Sequence, residues 1–188
     1  MQYIRPLYTL LLGSAIALLT GCSTNVPQQY TTTDKTPGIH PNYADITIPY
    51  NIAPLNFAYT MEGKAFITEL KSGNQSLVMK GKETDWKQKD WHQFLEISKG
   101  KEIEVTTYAQ TDKGWVKYAP FAWSVAEEPI DPYISYRIIA PSYVTYEELT
   151  IRQREMGTFD EKVVYNNMLL STDKDGQCIN CHSYKNYK

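Results

Sequence analysis

The chain has 188 residues, of which 42% are hydrophobic and 13% aromatic, and its formal net charge at pH 7 is −2. This apolar content excludes disorder for most of the chain, because it is sufficient to build a core. The charge balance gives no support for a nucleic acid as partner. The length suits one domain with a proper core and is short for two.

Residues 1–21 have the features of a secretory signal. Arg5 supplies the positive start, and the mostly apolar run over residues 7–19 is too short to span a bilayer. The run ends in Leu19-Thr20-Gly21-Cys22, which resembles the bacterial lipobox, in which the cysteine is acylated and the peptide is cut just before it. The alternatives are a weak membrane anchor or an ordinary signal that is cut elsewhere. Ser23 follows with no acidic run behind it, and by resemblance to lipoprotein sorting signals this implies an outer-membrane anchor that faces the periplasm.

Residues 22–44 precede the domain. They are rich in Thr, Gln, Pro and Asn and contain few apolar residues. This composition predicts a flexible tether that holds the domain off the membrane.

From Ile46 onward, the apolar residues recur at every second position, which is the period of a half-buried strand. Turn signals such as Ser72-Gly73-Asn74, Lys99-Gly100-Lys101 and Asp112-Lys113-Gly114 separate the runs. Strands are predicted at residues 53–59, 66–70, 76–79, 94–97, 103–107, 115–118, 121–125 and 134–138. The pattern predicts a mainly β domain over residues 45–141, an antiparallel β-sandwich of immunoglobulin-like or fibronectin-like type.

The pattern changes in residues 142–188, which are predicted to form a helical or irregular tail. Thr158-Phe159-Asp160-Glu161 has the form of a helix capping box, and Phe159 and Val163 follow at helical spacing. A short helix is therefore predicted over residues 159–168. Residues 146–154 fit a helix and a strand equally well and stay open.

The tail contains Cys178-Ile179-Asn180-Cys181-His182. Cys-x-x-Cys-His is the spacing at which two thiols add to the vinyl groups of haem while the histidine binds the iron as proximal ligand. Once Cys22 is acylated, Cys178 and Cys181 are the only thiols left in an oxidising compartment. Covalent haem c is therefore predicted at Cys178 and Cys181, with His182 on the iron. A disulfide or an unused motif is the alternative, since a zinc site would lack a fourth ligand.

The second axial ligand of such a haem is not evident from the sequence. Only residues 183–188 follow the motif, and none of them is His or Met. Met168 is the candidate distal ligand, although Met168 would equally suit the apolar face of a helix. Met156, His92 and His40 are the other candidates, and a five-coordinate iron is equally compatible.

Five stretches of the chain occur together in a familiar combination: Asp45-Ile46-Thr47-Ile48-Pro49, Asn51-Ile52-Ala53-Pro54-Leu55-Asn56-Phe57, Tyr136-Arg137-Ile138-Ile139-Ala140-Pro141, Ile151-Arg152-Gln153-Arg154 and Cys178-Ile179-Asn180-Cys181-His182-Ser183. Together they resemble the N-terminal module of exported bacterial lipoproteins with a TolB-like β-propeller, some of which are labelled as cytochrome c or cytochrome c biosynthesis proteins. In those proteins the propeller follows the Cys-x-Asn-Cys-His-Ser segment, and this chain ends at Lys188, where the propeller would begin. The resemblance therefore implies a truncated or stand-alone member, without the propeller's function.

The sequence shows no Ser-His-Asp arrangement, phosphate loop or metal-carboxylate cluster, so no enzymatic activity is predicted. The predicted function is that of a periplasmic, lipid-anchored, c-type haem-binding protein in electron transfer or redox-partner contact. Its predicted partners are the membrane, through Cys22, and a redox protein. The alternative is a non-catalytic β-sandwich interaction module in which Cys178 and Cys181 form a disulfide or are vestigial.

Overall fold

The computed structural model describes residues 26–139 and 149–169. In chain order the elements are β1 Thr31–Thr32, β2 Ile39–His40, β3 Ile46–Pro49, β4 Ala58–Tyr59, β5 Ala65–Ser72, β6 Gln75–Lys80, α1 Gln88–Ile97, β7 Glu102–Thr111, β8 Gly114–Lys117, β9 Phe121–Ala126, β10 Tyr133–Ile138, β11 Thr150–Glu155 and β12 Glu161–Asn166. The mainly β, sandwich-like class predicted from the sequence is confirmed.

The long strand β7 organises a seven-stranded sheet. One edge of β7 pairs with β5, which places Leu70 opposite Val105, and β5 continues through a hairpin into β6. The other edge of β7 is shared, because its first half pairs with β9 and its last residues pair with β8. β1 joins β8 and β3 joins β9 in parallel, so the sheet is mixed and not purely antiparallel.

The main core covers one face of this sheet. Alternation along the strands points Phe66, Leu70, Ile103, Val105 and Trp123 to that face, where all are at most 3% exposed. The layer that packs on them contains α1, the extended residues 53–57 and the β2–β4 pair, whose buried side chains belong to the same cluster. The two layers together enclose one apolar core.

Two central indoles retain a hydrogen bond inside this core. Trp91 and Trp123 are both 0% exposed and their rings meet edge to face, with centroids 5.9 Å apart. The Trp91 Nε1 donates to the Ile52 carbonyl at 3.0 Å, and the Trp123 Nε1 donates to the Tyr43 carbonyl at 2.6 Å. Burial of the two rings therefore leaves neither N–H group unpaired.

Helix α1 corrects the strand predicted at residues 94–97. Its buried side chains are Trp91, Phe94 and Leu95, which recur at the spacing of one helix face. The Ser98 hydroxyl then donates to the Phe94 carbonyl at 2.7 Å, at the end of the helix. The strand prediction was wrong because four apolar-rich residues are too few to distinguish the two periods. The strand predicted at residues 53–59 is likewise shorter, and only Ala58–Tyr59 pairs as β4.

Strands β10, β11 and β12 form a separate antiparallel sheet of three strands. β12 occupies the region predicted as a helix over residues 159–168, so that prediction was wrong. The Thr158 hydroxyl accepts a hydrogen bond from the Asp160 amide at 3.0 Å, which is a side-chain turn between β11 and β12 and not a helix cap. Glu161 instead forms an ion pair with Arg152 on the neighbouring strand. The open segment at residues 146–154 is a strand from Thr150 onward.

The three-stranded sheet is attached to the main domain at the β11–β12 turn and through the segment that precedes β10. The Ala53 amide donates to the Met156 carbonyl at 2.7 Å. The Asn51 carboxamide accepts from the Ile130 amide at 3.0 Å and donates to the Ile130 carbonyl at 2.9 Å. Gly157 lies so close that an added Cβ would stand 3.2 Å from the Asn51 carbonyl oxygen.

Most of the predicted tether belongs to the domain. β1 pairs with β8, and the Tyr30 ring meets Tyr108 edge to face at 5.4 Å. Ile39 in β2 is 9% exposed and is part of the core cluster. The prediction of a flexible tether over residues 22–44 is therefore wrong from Tyr30 onward, because polar composition did not prevent strand pairing at the sheet edge.

Candidate functional site

The predicted haem-attachment residues Cys178, Cys181 and His182 lie outside the described residues, as does the predicted lipidation residue Cys22. The last described residue before the motif is Leu169, which follows β12. The chain therefore enters the motif segment from the three-stranded sheet, and that sheet is the described part of the candidate site.

Met168 lies in the turn that ends the sheet. Its amide donates to the Asn166 side-chain oxygen at 2.9 Å, and the following Leu169 amide donates to the Asn166 carbonyl at 3.2 Å. The Met168 side chain is half-buried. Met168 is thus held in a defined turn, and the expectation that it lies on the apolar face of a helix is wrong. It is the candidate axial ligand placed where the chain leaves the sheet.

Met156 lies at the other end of the same hairpin. Met156 follows β11, and its amide donates to the Pro132 carbonyl at 2.8 Å. Met168 follows β12, and the last residue of β12, Asn166, lies opposite Thr150 at the start of β11. Met156 lies six residues beyond Thr150, so with a rise of about 3.3 Å per strand residue the two methionines are separated by roughly 20 Å. One iron atom cannot use both methionines in this arrangement.

The candidate histidines are placed differently from each other. His40 is exposed in β2. His92 lies in α1 beside the β11–β12 turn, with its Cε1 3.9 Å from the position of a Cβ on Gly157. The His92 Nε2 is buried and has no hydrogen-bond partner within residues 26–139 and 149–169. A metal outside the domain therefore reaches that nitrogen only if the residues covering it move.

One face of the three-stranded sheet combines apolar side chains with arginine. In the strand register, Ile134 of β10 lies opposite Arg154 of β11, and Arg154 lies opposite Glu161 of β12. Ile138 lies opposite Thr150. The apolar side chains stay accessible, because Ile134 is 48% and Val163 is 50% exposed. The Arg154 guanidinium lies 5.6 Å from the Phe159 ring centre. This face is unusual for a small sheet, since its apolar residues are not covered by another described element.

A polar cluster on the same face fixes the strands in register. Arg152 forms an ion pair with Glu161, and the Tyr136 hydroxyl donates to the second oxygen of that carboxylate. Each residue comes from a different strand of the three. The cluster connects all three strands. Arg154 is not part of it and contacts the Phe159 ring.

A second feature is a pocket of about 520 Å³ at the end of the main sheet. Its polar lining is cationic, with Lys64, Lys80 and Lys82 beside the Trp115 ring. Sequence reasoning missed this group, because the residues come from different strands and meet only through the strand register. The available signal was Lys80-Gly81-Lys82, two cations around a glycine at the end of a predicted strand.

The sheet face opposite the main core contains a buried phenol. The pKa of Tyr108 is raised to about 12, first by burial and then by the nearby Glu69 carboxylate. Burial also raises the pKa of Tyr59, which lies in the core and is hydrogen-bonded to Thr107 and Thr68. Both hydroxyls are therefore neutral over the physiological pH range.

Two absences among the described residues bear on metal and membrane binding. Residues 26–139 and 149–169 contain no group of three or more His, Cys, Asp or Glu side chains placed to hold a metal ion. Over the same ranges, no helix has the length and apolar character to cross a bilayer.

Comparison with known proteins gives no match. No family model, no curated protein and no solved structure is similar to this chain. Function is therefore inferred from the chain's own residues.

Proposed function

We propose that this protein is a lipid-anchored, periplasm-facing c-type haem protein that transfers electrons or contacts a redox partner. The observation that carries the proposal is Cys178-Ile179-Asn180-Cys181-His182 in a chain with an export signal. Cys178 and Cys181 would hold the haem through thioether bonds, and His182 would bind the iron. When bound, the group supplies one-electron redox chemistry.

The donor set fits haem better than another metal. Two thiols and an adjacent imidazole provide all the covalent and proximal contacts of haem c. A structural zinc site needs four ligands, whereas this motif supplies three, of which Cys181 and His182 are adjacent in sequence and poorly placed to bind one ion. The chemistry of these three residues therefore favours covalent haem.

The exposed face of the three-stranded sheet supports the proposal. A haem presents a large apolar ring and two carboxylates, and binding it requires apolar side chains together with cations. Ile134, Ile138 and Val163 supply accessible apolar surface, and Arg154, which is not in the Arg152–Glu161 ion pair, lies on the same face. Side chains that would suit a haem thus lie on the sheet that precedes the Cys178–His182 segment in the chain.

Met168 is the residue that would supply a second ligand to the iron. It precedes Cys178 by ten residues, and a chain of that length spans at most about 36 Å, so it has ample length to turn back. Its turn is fixed by the Asn166 side chain, and its thioether is half-buried. The remaining possibility is a five-coordinate iron with only His182 bound.

The second candidate function is a non-catalytic interaction module whose Cys178 and Cys181 form a disulfide. One observation favours it, namely the apolar side chains on the three-stranded sheet that no described element covers. Tyr133 in β10 is 52% and Val164 in β12 is 50% exposed. Exposed apolar surface on a small sheet with open edges is typical of a protein-binding site.

The test is expression of the full chain together with a cytochrome c maturation system, followed by intact mass and absorbance. The haem proposal predicts a mass increase of one haem and a Soret band that survives denaturation. The double variant Cys178→Ala/Cys181→Ala should lose both, because no other thiol remains after Cys22 is acylated. A mass two hydrogens below that of the reduced chain, with no Soret band, would establish the disulfide alternative.

A matched pair of variants tests the axial ligand. Met168→Leu should convert six-coordinate iron to a high-spin spectrum, because leucine keeps the volume but removes the sulfur. Met156→Leu is the control, since that residue lies at the other end of the hairpin, and its spectrum should be unchanged. Identical spectra for the Met168 variant and the wild type would exclude Met168 as a ligand.

A further inference from the structure

The pocket at the end of the main sheet lies where β5 begins and β6 ends. Its cationic lining residues are Lys64, Lys80 and Lys82, and its apolar walls include Ile67 and Trp115. The lining residues Gly63 and Gly81 pack closely, since an added Cβ would lie 2.6 Å from the Phe66 ring and 3.1 Å from the Glu83 carbonyl oxygen, respectively. An anionic group that enters it meets three ammonium groups and an indole ring.

The strand register places Lys80 and Lys117 in one row across the sheet. Lys80 stands opposite Ile67, Ile67 stands opposite Tyr108, and Tyr108 stands opposite Lys117. Paired residues point to the same side of a sheet, so this row crosses the face away from the main core. The Lys117 ammonium lies 5.9 Å from the centre of the Tyr30 ring. We call Lys64, Lys80, Lys82 and Lys117 the lysine face.

The carboxylates of this region do not neutralise the lysine face. Lys64 pairs with Asp112 at 2.6 Å, but both side chains are largely exposed, so the pair is weak. Lys80 and Lys82 form no ion pair among the described residues. Glu69 and Glu104 lie on the same sheet face near Tyr108, but no carboxylate lines the pocket. The positive charge is therefore concentrated at the pocket.

The same end is close to the predicted lipid anchor. Pro27 lines the pocket at the end of the main sheet, and shortly after it Thr31 and Thr32 of β1 pair with β8. Cys22 precedes Pro27 by five residues, which span at most about 18 Å when fully extended. Acyl chains on Cys22 therefore hold this pocket within about one bilayer leaflet's thickness of the headgroups. A long tether would let the pocket lie farther from the membrane, but strand pairing already begins at Thr31.

We propose that the lysine face rests on the anionic phosphate headgroups of the membrane that holds Cys22. Ammonium groups near an anionic lipid surface are attracted to it, and tryptophan favours the headgroup level, where Trp115 would lie. The contact orients the domain relative to the membrane. The inference rests on the lipid anchor of the proposed function and is independent of haem attachment.

The test uses the full acylated chain in vesicles, after intact mass has established the acyl group on Cys22. Lysines are labelled with an amine-reactive reagent in phosphatidylglycerol-containing vesicles and in pure phosphatidylcholine vesicles. Lys64, Lys80, Lys82 and Lys117 should label several-fold more slowly in the anionic vesicles, and high salt should abolish the difference. Lys87, Lys89 and Lys162 are the internal controls and should label equally in both.

A second measurement uses quenching of tryptophan by brominated lipids in anionic vesicles. The variant Lys64→Gln/Lys80→Gln/Lys82→Gln should lose the quenching, and Trp115→Phe should lose it too. Lys87→Gln/Lys89→Gln/Lys162→Gln removes the same charge elsewhere and should retain it. A cooperative urea transition in each variant shows that the loss is not unfolding.

Three results would overturn the proposal. Equal labelling of the lysine face in both vesicle types would show that lipid charge has no influence on it. Protection by inorganic phosphate in phosphatidylcholine vesicles would identify a soluble-anion site instead. A chain without acyl groups would remove the anchor and with it the membrane contact. Haem content, measured on the same sample, shows separately whether the haem proposal fails.

Discussion

The Tyr59 hydroxyl allows a quantitative test of the core. Tyr59 is 2% exposed, and its hydroxyl joins Thr68 at 2.6 Å and Thr107 at 3.1 Å. Its ring stacks on Phe66 with centroids 4.5 Å apart. Both threonines face the core from adjacent strands, where they are at most 1% exposed. One hydroxyl therefore satisfies two buried polar groups.

Tyr59→Phe keeps the ring contacts and removes this shared partner. A buried polar group that loses its hydrogen bond costs about 1–3 kcal/mol. The free energy of unfolding should therefore fall by about 1–3 kcal/mol, and the urea midpoint by about 1 M at an unchanged slope. The triple variant Tyr59→Phe/Thr68→Val/Thr107→Val removes both sides of the interaction. It should be more stable than Tyr59→Phe, because no unpaired hydroxyl is left.

The assay is urea unfolding of the mature chain followed by tryptophan fluorescence, with Trp91 and Trp123 in the core as reporters. The diagnostic quantity is the difference between the triple variant and the sum of its single changes. A Tyr59→Phe variant as stable as the wild type would refute the inferred network. A triple variant destabilised by the full sum of its single changes would also refute it.

Three further outcomes are expected. Gly100 has φ +66°, and an added Cβ would lie 2.7 Å from the Glu127 carboxylate oxygen, whereas Gly73 has φ +57° and nothing lies within 4 Å of its Cβ position. Gly100→Ala should therefore lower the free energy of unfolding in urea more than Gly73→Ala does. Equal losses of unfolding free energy would contradict this. Asn51→Ala should cost about 1–2 kcal/mol, because both backbone groups of Ile130 lose their partner, and hydrogen exchange at the Ile130 amide should accelerate. The pKa of Tyr108 is raised from 10.0 to about 12, so its stabilisation is complete below pH 10 and is lost as the pH rises towards 12. Tyr108→Phe should lose less stability over that interval, and an identical pH profile would refute the assignment.

The strands of the main sheet were predictable from the sequence where one face is buried. Residues 103–107 and 121–125 alternate because Ile103, Val105 and Trp123 point into the core while their neighbours do not. The glycine turns between them were also recognised, since Gly73, Gly100 and Gly114 all have positive φ values. Because one face of each strand is buried, apolar residues recur at every second position, and this pattern was sufficient to predict the strands.

The errors occur where that signal is weak. β12 is exposed on both faces, so its apolar residues show no alternation, and the spacing of Phe159 and Val163 imitated a helix. α1 buries only three side chains, and a four-residue window covered just one turn of it. β1 is a two-residue edge strand of threonine, so composition alone predicted a tether.

The candidate site was predictable only in part. Cys178, Cys181 and His182 are adjacent in sequence, so their spacing alone predicts the cofactor chemistry. The lysine face unites Lys80 of β6 and Lys117 of β8 with Lys64, which precedes β5, and Lys82, which follows β6. Apart from Lys80-Gly81-Lys82, no local pattern predicts which of them meet. Long-range strand pairing therefore limits what sequence can reveal about such a surface.

The most direct test of the central proposal is the intact mass of the full chain after export alongside a cytochrome c maturation system. The haem proposal predicts the acylated chain plus one covalently bound haem, with the added mass absent in Cys178→Ala/Cys181→Ala. An acylated chain without haem, in which Cys178 and Cys181 form a disulfide, would contradict it.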